Sequence, residues 1–266
     1  MHSPPVVWTI AGFDPSSGAG ATADLKTISA LGCYGAACIT ALTVQNTIGV
    51  RRVEAVAPEL VGDTLQVLLE DLPPSAIKIG MLATEAVAAA IADFLSRLPG
   101  SLIVLDPILR SSSGAVLLDE GGERILKDKL LPLAAVITPN RAEAERLTGR
   151  AGAEQEELAA ELLRLGAAAA VVTGGDAEAE IAADAFAYTL GSQLFVETLS
   201  APRIVSSSTH GTGCAFSTAI ACGLALGESL PAAVTSAKSF VRRAIQCAPG
   251  IGHGKGPMGL ERAGSL

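Results

Sequence analysis

The sequence predicts an α/β fold with a mostly parallel central sheet, helices on both faces and a small antiparallel edge. Short runs of β-branched residues alternate with longer Ala- and Leu-rich segments along nearly the whole chain. Repeated strand–helix units of this kind build parallel sheets that are covered on both sides. Late in the chain, two apolar runs flank Gly191-Ser192, the pattern of a two-residue hairpin turn with glycine first. This hairpin supplies the antiparallel edge.

Composition and turn residues mark each element. The first strand is a buried apolar run, and Gly32 closes the helix that follows it. Pro58 opens the second helix, because proline is favoured in the first turn. The predicted strands are residues 6–10, 36–43, 50–57, 77–79, 102–105, 135–137, 170–172, 188–190 and 193–196. The predicted helices are residues 19–31, 58–71, 85–98, two short segments after Asn140 and Ala153, 213–226 and 231–247.

Length and composition predict one domain over residues 1–266. A chain of 266 residues with 49% apolar composition can form one large core, and no repeat, charge block or Pro/Ser-rich linker divides it. Its 27 acidic residues outnumber its 19 lysines and arginines, which gives a net charge of -8. Such a chain has no positive field for a polyanion, so we do not expect nucleic acid as a partner.

The sequence also bears on where the protein works. Its first residues lack the basic region and the long apolar stretch of a secretory signal, which predicts a cytoplasmic protein. Charged, glycine or proline residues interrupt every apolar run before the ~20 residues that a membrane span needs, so no membrane association is expected. Five cysteines without a CxxC pair argue against a disulfide framework and against a metal site.

Polar and glycine-rich loops follow several predicted strands, and ligands in such sheets bind beyond the carboxyl ends of the strands. The candidate loops contain Asp14, Gly80-Met81, Asp106, residues 138–140 and residues 208–214. In the last loop, the glycines of Gly211-Thr212-Gly213-Cys214 let successive N–H groups and the positive helix end point at one spot. That spot suits a phosphate. An ordinary glycine-rich helix start with a buried cysteine is the alternative explanation.

Four other patterns bear on the function. Gly18-x-Gly20-x-x-Ala23 fits the dinucleotide fingerprint, but it begins well beyond the strand end and lacks the acidic residue expected about twenty positions later. No G-x4-G-K-[ST] motif occurs, so a phosphotransferase here is not of the P-loop type. Asp106 precedes proline at a strand end, where we expect few interior partners and therefore a functional role. Asn140-x-x-Glu143 is close to a capping box, which needs no ligand.

Six motifs occur in a fixed order along the chain. They are TIAGFDPSSGAG with ADLKT (9–20 and 23–27), ITALTVQNT (39–47), KIGML (78–82), DP (106–107), ITPN (137–140) and THGTGC (209–214). Together they resemble the ribokinase-like superfamily and, within it, the hydroxymethylpyrimidine/phosphomethylpyrimidine kinases of thiamine biosynthesis. The resemblance runs from about residue 6 to residue 257 without large gaps.

The resemblance implies a ribokinase-like three-layer sandwich, an ATP-dependent kinase with Mg²⁺, and a homodimer. The implied substrate is 4-amino-5-hydroxymethyl-2-methylpyrimidine and then its monophosphate, bound by Gly12, Asp24, Gln45, Met81 and Ile108. The residues implied for ATP are Asp106, Thr138, Asn140, Glu143, Thr173 and Lys238, with Asp106 and Glu143 toward the metal. The implied anion hole is Gly211, Thr212 and Gly213, and the implied catalytic base is Cys214, where the superfamily commonly has aspartate.

Elementary chemistry agrees with the resemblance at two positions. The amide of Gln45 donates and accepts side by side, which matches the ring nitrogen and exocyclic amine of an aminopyrimidine. The helix N-terminus that follows the glycines favours a thiolate, so we expect the pKa of Cys214 to be lowered.

The chain departs from the family pattern at several positions. Family members usually carry serine or threonine at Phe13, glycine at Ser17, Lys and His where Thr173 and Asp176 stand, and often lysine at Ser112. The chain is therefore short of cations for phosphate. Three alternatives stay open: a pyridoxal kinase of the same superfamily, a hydrolase with Cys214 as nucleophile, and a non-catalytic small-molecule binding protein.

Overall fold

The strands form one continuous sheet. The computed structural model describes residues 3–111, 114–175 and 180–264, so the predictions made at Ser112 and Asp176 lie outside the described residues. The strands are β1 (Val6–Phe13), β2 (Tyr34–Gln45), β3 (Val50–Ala55), β4 (Ala76–Ile79), β5 (Ile103–Leu105), β6 (Val136–Ile137), β7 (Ala169–Val172), β8 (Ile181–Leu190) and β9 (Gln193–Pro202). Their order across the sheet is β3-β2-β1-β4-β5-β6-β7-β8-β9.

The centre of the sheet is parallel, as predicted. β1 pairs in parallel with β2 on one side and β4 on the other, and parallel pairing continues through β5, β6 and β7. The hairpin at Gly191 is confirmed, although β8 and β9 are each longer than the predicted strands. β3 forms a second antiparallel edge against β2, which the sequence prediction missed. The connection of residues 46–49 is too short for a parallel crossover.

Helices cover both faces of the sheet. They are α1 (Gly20–Ala30), α2 (Pro58–Asp71), α3 (Glu85–Leu95), α4 (Glu120–Ile125), α5 (Arg141–Thr148), α6 (Gln155–Arg164), α7 (Thr212–Ala225), α8 (Leu230–Gln246) and α9 (Leu260–Ala263). Trp8 and Leu105 pack into a core with α2, α3, α5 and α6, whereas Val7 and Val104 pack into a second core with α1, α7 and α8. Alternate strand residues thus serve opposite helix layers, and the predicted three-layer sandwich is confirmed.

The sequence prediction missed α4, the π-helical turn (Leu126–Leu130) that continues it, and α9. The N-cap residue of α4 is Asp119, whose Oδ1 accepts the N–H of Gly122 at 2.6 Å. A Cβ on Gly121 would overlap the side chain of Glu85, so a larger residue here would force Glu85 to move. Because glycine lowers helix propensity, the two glycines concealed the helix. Among the described residues, no helix is both long enough and apolar enough to cross a lipid bilayer.

Candidate active site

The candidate site lies where the strand order reverses direction. The chain moves outward from β1 through β2 to β3 and then returns to β4 on the other side of β1. Ligands bind at such a switch point, beyond the carboxyl ends of the strands. The loops approach each other closely here: a Cβ on Gly12 would lie 2.8 Å from Met81 Sδ, and one on Gly211 would overlap the carbonyl oxygen of Gly18. Glycine permits both approaches.

A lysine and two aspartates form a buried group beneath this edge, here called the lysine cluster (Asp24, Lys78 and Asp106). The Nζ of Lys78, which is fully buried, donates to Asp24 Oδ2 at 2.9 Å and lies 3.8 Å from Asp106 Oδ2. The hydroxyls of Thr9 and Thr218 donate to the two oxygens of Asp24 at 2.6 and 2.8 Å. Both oxygens of Asp24 are therefore occupied below the site.

Attraction within the lysine cluster keeps Lys78 positively charged. Burial opposes this charge, but the attraction of the two carboxylates, first that of Asp24, outweighs it and raises the pKa of Lys78 above its ordinary value. Burial raises the pKa of Asp106, and Lys78 and the Ser217 hydroxyl, which donates at 3.2 Å, offset only part of that effect. The expectation that Asp106 has few interior partners is wrong, because α7 and β4 both supply one.

Cys214 lies in the first turn of α7, close enough to Lys78 and Asp106 for both to affect its thiol. Burial raises the pKa of the Cys214 thiol to about 12, and the charge of Lys78 and the N–H of Gly20 offset part of this rise. The predicted lowering of this pKa is therefore wrong. Desolvation disfavours the thiolate more strongly than the helix end and the buried lysine favour it.

Residues 211–213, here called the anion turn, begin α7. Gly211 is the N-cap residue and has φ +78°, in the left-handed region that favours glycine. Gly213 is exposed, and a Cβ there would meet no heavy atom within 4 Å. The first N–H groups of a helix have no partner within the helix. The anion turn therefore offers backbone donors beside open space, as an anion site requires.

The loop after β1 is tied to the anion turn. The Oδ2 of Asp14 accepts from Ala19 N at 2.9 Å and lies 2.9 Å from His210 Nε2, while Oδ1 accepts from the Ser16 backbone. Burial raises the pKa of Asp14, but hydrogen bonds from His210, Gln45 and Ser16 together bring it below its ordinary range. Asp14 is thus an ionised carboxylate that links this loop to the residue before the anion turn.

Ser17 stands where family members usually carry glycine, and its backbone conformation is one that glycine favours. Its φ is +58°, a left-handed conformation that glycine adopts without steric cost and that other residues adopt at roughly 1–2 kcal/mol. Its N–H donates to the carbonyl oxygen of Asp14 at 3.0 Å, so the turn forms despite this strain.

The residues implied for the substrate fall into two groups. Gly12 contacts Met81, and Met81 packs with Ile108 in a small apolar cluster. Gln45, the last residue of β2, is half-buried beside the loop after β1. These four residues lie at the edge of the sheet. Asp24 lies below it, fully buried in the lysine cluster.

A cavity lies at the carboxyl ends of β6 and β7, here called the Asn140 cavity. Asn140 and Thr173 pair with each other where these strands end, and Thr138 is buried at the same strand end. The cavity has a volume of about 270 Å³ and is lined by Asn140, Arg141, Ala142, Glu145, Gln155, Thr173 and Gly174. The structure thus brings three of the residues implied for ATP together.

Asn140 and Glu143 form a capping box, as the alternative explanation of this motif predicts. Asn140 Oδ1 accepts the N–H of Glu143 at 3.0 Å, and Glu143 Oε2 accepts the N–H of Asn140 at 3.0 Å. Glu143 Oε1 also accepts from Leu109 N at 3.4 Å, which joins α5 to the loop after β5. Both residues therefore have structural roles, and their contacts with nucleotide or metal stay predictions.

Lys238 is connected to the Asn140 cavity through another residue. Its Nζ donates to Asp184 Oδ2 at 2.5 Å and to the carbonyl oxygen of Ala182 at 3.2 Å. Asp184 Oδ1 in turn accepts from Gly174 N at 3.0 Å, and Gly174 lines the cavity. The amine of Lys238 is thus engaged in holding the loop after β7 against β8.

Sequence reasoning assigned no role to Lys78, His210, Ser217 or Thr218. One signal was available for Lys78, because it interrupts a strand that is otherwise apolar, and all four residues of that strand are buried. A buried lysine requires an acidic partner. No signal marked Ser217 or Thr218, because hydroxyl side chains in helices commonly bond to their own backbone.

Asp106 and Glu143 are the carboxylates implied for magnesium. Within residues 3–111, 114–175 and 180–264, no three His, Cys, Asp or Glu side chains are grouped as a metal site would need. Magnesium in phosphotransferases is usually held by one or two carboxylates together with substrate phosphates. Asp106 and Glu143 are of the right type for such a metal, but both are engaged by protein groups in this structure, so their contact with a metal stays a prediction.

Comparison with solved structures gives the class of the protein. The chain matches the pyridoxal kinase from Staphylococcus aureus in complex with ADP with a TM-score of 0.87 and 31% identity, over 98% of this chain and 94% of that chain. It matches phosphomethylpyrimidine kinase from Clostridium difficile with a TM-score of 0.77 and 36% identity, over 91% of this chain and 99% of that chain. With the sheet order and the anion turn, these matches define a ribokinase-like kinase, a phosphotransferase.

Within this class, the chain belongs to the phosphomethylpyrimidine kinase family, whose model matches residues 14–259. It is 45% identical over 259 residues to the hydroxymethylpyrimidine/phosphomethylpyrimidine kinase of Rhizobium meliloti, covering 95% of this chain and 96% of that protein. It is 42% identical over 255 residues to a thiamine biosynthesis bifunctional protein of Geobacter sulfurreducens, of which it spans only 51% of the length. The resemblance drawn from the motifs is confirmed.

Proposed function

We propose that the chain transfers the γ-phosphate of ATP to the hydroxymethyl group of 4-amino-5-hydroxymethyl-2-methylpyrimidine and then to the resulting monophosphate. The observation that carries this proposal is the meeting of the anion turn, Cys214 and the Gln45 region at the switch point of the sheet. The family, and relatives that are named hydroxymethylpyrimidine/phosphomethylpyrimidine kinase, support the choice of substrate.

The anion turn and Cys214 would carry the chemical step. The N–H groups at the start of α7 would stabilise the transferring phosphoryl group, because its loose transition state depends chiefly on positioning and charge. Cys214 would take the proton of the substrate hydroxyl. It would do so as the thiolate, the minor form in the free protein, which burial disfavours and the charge of Lys78 favours.

The substrate would lie against the edge formed by the loops after β1 and β4. Gly12, Met81 and Ile108 would provide an apolar wall for the flat ring. The amide of Gln45 would pair with the polar edge of the pyrimidine. Asp24, which is fully buried, would contribute by holding Lys78.

The nucleotide would occupy the Asn140 cavity, with Thr138, Asn140 and Thr173 as its contacts. Lys238 would support the cavity wall through Asp184. Mg²⁺, held by the carboxylates of Asp106 and Glu143 together with the phosphates, would supply positive charge to the transferring group. Complexes of the related Staphylococcus aureus pyridoxal kinase with ADP and with AMP-PCP support a nucleotide donor.

Pyridoxal is the second candidate substrate. The TM-score against the Staphylococcus aureus pyridoxal kinase, 0.87, exceeds that against the Clostridium difficile pyrimidine kinase, 0.77. Pyridoxal also offers a hydroxymethyl group on a flat nitrogen ring. The sequence favours the pyrimidine, because identity is 45% to the Rhizobium meliloti pyrimidine kinase and 31% to the pyridoxal kinase.

A substrate panel tests the reaction. ATP consumption and phosphorylated product are measured with the hydroxymethylpyrimidine, its monophosphate, pyridoxal and ribose, each with and without Mg²⁺. We expect the two pyrimidines to be phosphorylated with the highest kcat/KM. A higher kcat/KM for pyridoxal would mean that pyridoxal is the preferred substrate. The absence of product from all four compounds would reject the proposed kinase activity.

Assembly and location complete the proposal. A second copy of the chain would cover Leu42, Val44 and Ile48, which are 54%, 56% and 67% exposed on β2 and the turn after it. Contiguous exposed apolar surface of this kind marks interaction sites, and sedimentation velocity would show a monomer if the proposed homodimer is wrong.

We place the protein in the cytoplasm because all five cysteines are free thiols, which is typical of a reducing compartment.

A further inference from the structure

The loop after β1 holds both ends of the anion turn. Before the turn, His210 contacts Asp14. After the turn, the N–H of Gly20, the first residue of α1, lies close enough to Cys214 to favour its thiolate. Between these two contacts, the carbonyl of Gly18 lies directly against Gly211, so that a Cβ would not fit. One loop therefore sets the position of the whole turn.

His210 is fixed in this arrangement by its backbone and by its ring. Its backbone N–H donates to the carbonyl oxygen of Gly256 at 3.1 Å. Its ring lies against Gly18, where a Cβ would overlap Cδ2. The side chain is only 17% exposed, and Nε2 is 2.9 Å from Asp14 Oδ2. The imidazole thus serves as a rigid connection between two loops.

Asp14 is equally constrained. Its Oδ1 accepts from the N–H and the hydroxyl of Ser16 at 2.8 and 2.7 Å. Its Oδ2 accepts from Ala19 N at 2.9 Å and from His210. The side chain is 2% exposed. A buried carboxylate with four donors around it is suited to holding its neighbours in place, since an ionised donor–acceptor pair is stronger than a neutral one.

We infer that His210 is a positioning residue for phosphoryl transfer, acting through Asp14 to fix the N–H groups of the anion turn relative to Cys214. The inference rests on the proposed function, because it assigns the transferring phosphoryl group to the anion turn. A displacement of about 1 Å at a reacting centre can lower a rate about 100-fold. Gln45 and the Asn140 cavity would still bind substrate and nucleotide, so the loss should fall on kcat and not on KM.

Two amide substitutions of similar polarity provide the test. In His210→Gln the side-chain N–H₂ extends about as far as imidazole Nε2, whereas in His210→Asn it is too short to meet Asp14. We expect His210→Gln to keep kcat within about fivefold of the parent, and His210→Asn to lose about 10- to 100-fold, both with KM values within about threefold. Urea unfolding of each variant establishes that both are folded.

His253 provides the matched control. It lies in the glycine-rich segment near the same site, is exposed, and contacts Thr47 only through its backbone N–H among the contacts described. His253→Ala should therefore keep kcat within about twofold of the parent. A general effect of losing a histidine from this surface would appear in this variant as well.

The remaining outcomes overturn the inference. Equal losses of kcat in the Gln and Asn variants, with parental stability, would mean that the imidazole itself takes part in proton transfer. A rise in KM at unchanged kcat would make His210 a ligand contact, and parental kinetics in both variants would leave it a packing residue. An inactive parent would reject the proposed function instead, so the two failures are distinguishable.

Discussion

The lysine cluster and the Asn140 cavity lie at the same edge of the sheet, but their polar groups are satisfied differently. In the lysine cluster, Lys78 and Asp24 are fully buried and the Asp106 side chain is 6% exposed, and each has a protein partner. Around the cavity, Asn140 and Thr173 are half-buried and face an open volume of about 270 Å³. The first region is held in place by contacts within the protein, and the second offers surface that a ligand would complete.

This difference corresponds to two tasks in phosphoryl transfer, the stabilisation of developing charge and the binding of the nucleotide. Groups that stabilise developing charge are most effective when they are fixed before the substrate arrives, because no reorganisation is then needed. A nucleotide site has less need of such fixation, since the nucleotide brings its own donors, acceptors and metal. Substitutions in the lysine cluster should therefore lower stability and rate, whereas substitutions at the Asn140 cavity should mainly change nucleotide affinity.

The largest expected effect is that of Lys78→Met. Removing the amine leaves Asp24 and Asp106 as buried carboxylates without their cation, which should lower the free energy of unfolding by about 3–5 kcal/mol. Urea denaturation measures this loss. The control is Lys129→Met, because Lys129 pairs with Asp93 at 3.3 Å on the surface, where such pairs contribute about 0–1 kcal/mol. Equal losses in the two variants would remove the distinction between the lysine cluster and an ordinary ion pair.

Cys214 stands next in expected effect. General-base catalysis typically contributes ~10²–10⁴-fold, so Cys214→Ala should lower kcat at least about 100-fold, and Cys214→Asp should restore part of the rate. The thiol pKa of about 12 means that the thiolate fraction grows as pH rises, so kcat/KM should increase between pH 7 and 9. This rise should be much weaker in Cys214→Asp, whose carboxylate ionises at far lower pH.

Two outcomes would contradict the proposed role of Cys214 as the catalytic base. A folded Cys214→Ala variant whose kcat stays within a few-fold of the parent would make Cys214 a packing residue. The anion turn and the metal would then carry the reaction by charge stabilisation alone. A flat pH profile of the parent would point to the same conclusion from an independent measurement.

Gln45→Leu should have a smaller effect that is confined to the substrate. Loss of the amide leaves the polar edge of the pyrimidine unpaired, which should weaken substrate binding by on the order of 1–3 kcal/mol while the KM for ATP stays unchanged. Steady-state kinetics with each substrate varied in turn measures both values. Gln66→Leu, on the exposed face of α2, is the matched control. An unchanged KM for the pyrimidine would remove Gln45 from the site.

Much of the fold could be predicted from the sequence because its elements carry local signals. The parallel strands are β-branched runs bounded by glycine and proline, and the hairpin carries Gly191 at the position with φ +61°. α4 was missed because Gly121 and Gly122 are there for packing against neighbours, which no local pattern reveals. The pairing direction of β3 was missed although the short connection of residues 46–49 signals it, because a parallel crossover needs a dozen or more residues. The assignment of residues 1–266 to one domain stays a prediction.

The residues of the candidate site could be predicted from the sequence only where they belong to a recognisable local motif. Gly211 was found because a glycine-rich turn before a helix has a recognisable pattern, whereas the role of Cys214 was predicted only from the resemblance to the kinase family. The pKa of Cys214 was predicted in the wrong direction, because burial depends on what packs around the thiol in three dimensions. The contact of Asp14 with His210 joins residues 196 positions apart, and no spacing rule connects them.

The capping role of Asn140 and its predicted contact with the nucleotide can be separated by substitution. Asn140→Ala removes the acceptor for the N–H of Glu143 and should lower the free energy of unfolding by about 1 kcal/mol. Asn140→Asp keeps an acceptor, so its stability should stay within about 0.5 kcal/mol of the parent. Its new charge would face the phosphates, however, and should raise the KM for ATP severalfold without changing the KM for the pyrimidine.

Thr84→Ala controls for the loss of a helix cap elsewhere. Thr84 caps α3 by accepting the N–H of Val87 at 3.4 Å, and it does not line the Asn140 cavity. This variant should lose a similar amount of stability to Asn140→Ala and keep the parental KM for ATP. Because Asn140→Asp adds negative charge without removing the cap, a parental KM for ATP in that variant would mean that the nucleotide does not approach Asn140. The half-open cavity would then be a surface feature of the α5 cap, and the donor site would have to be sought closer to the anion turn.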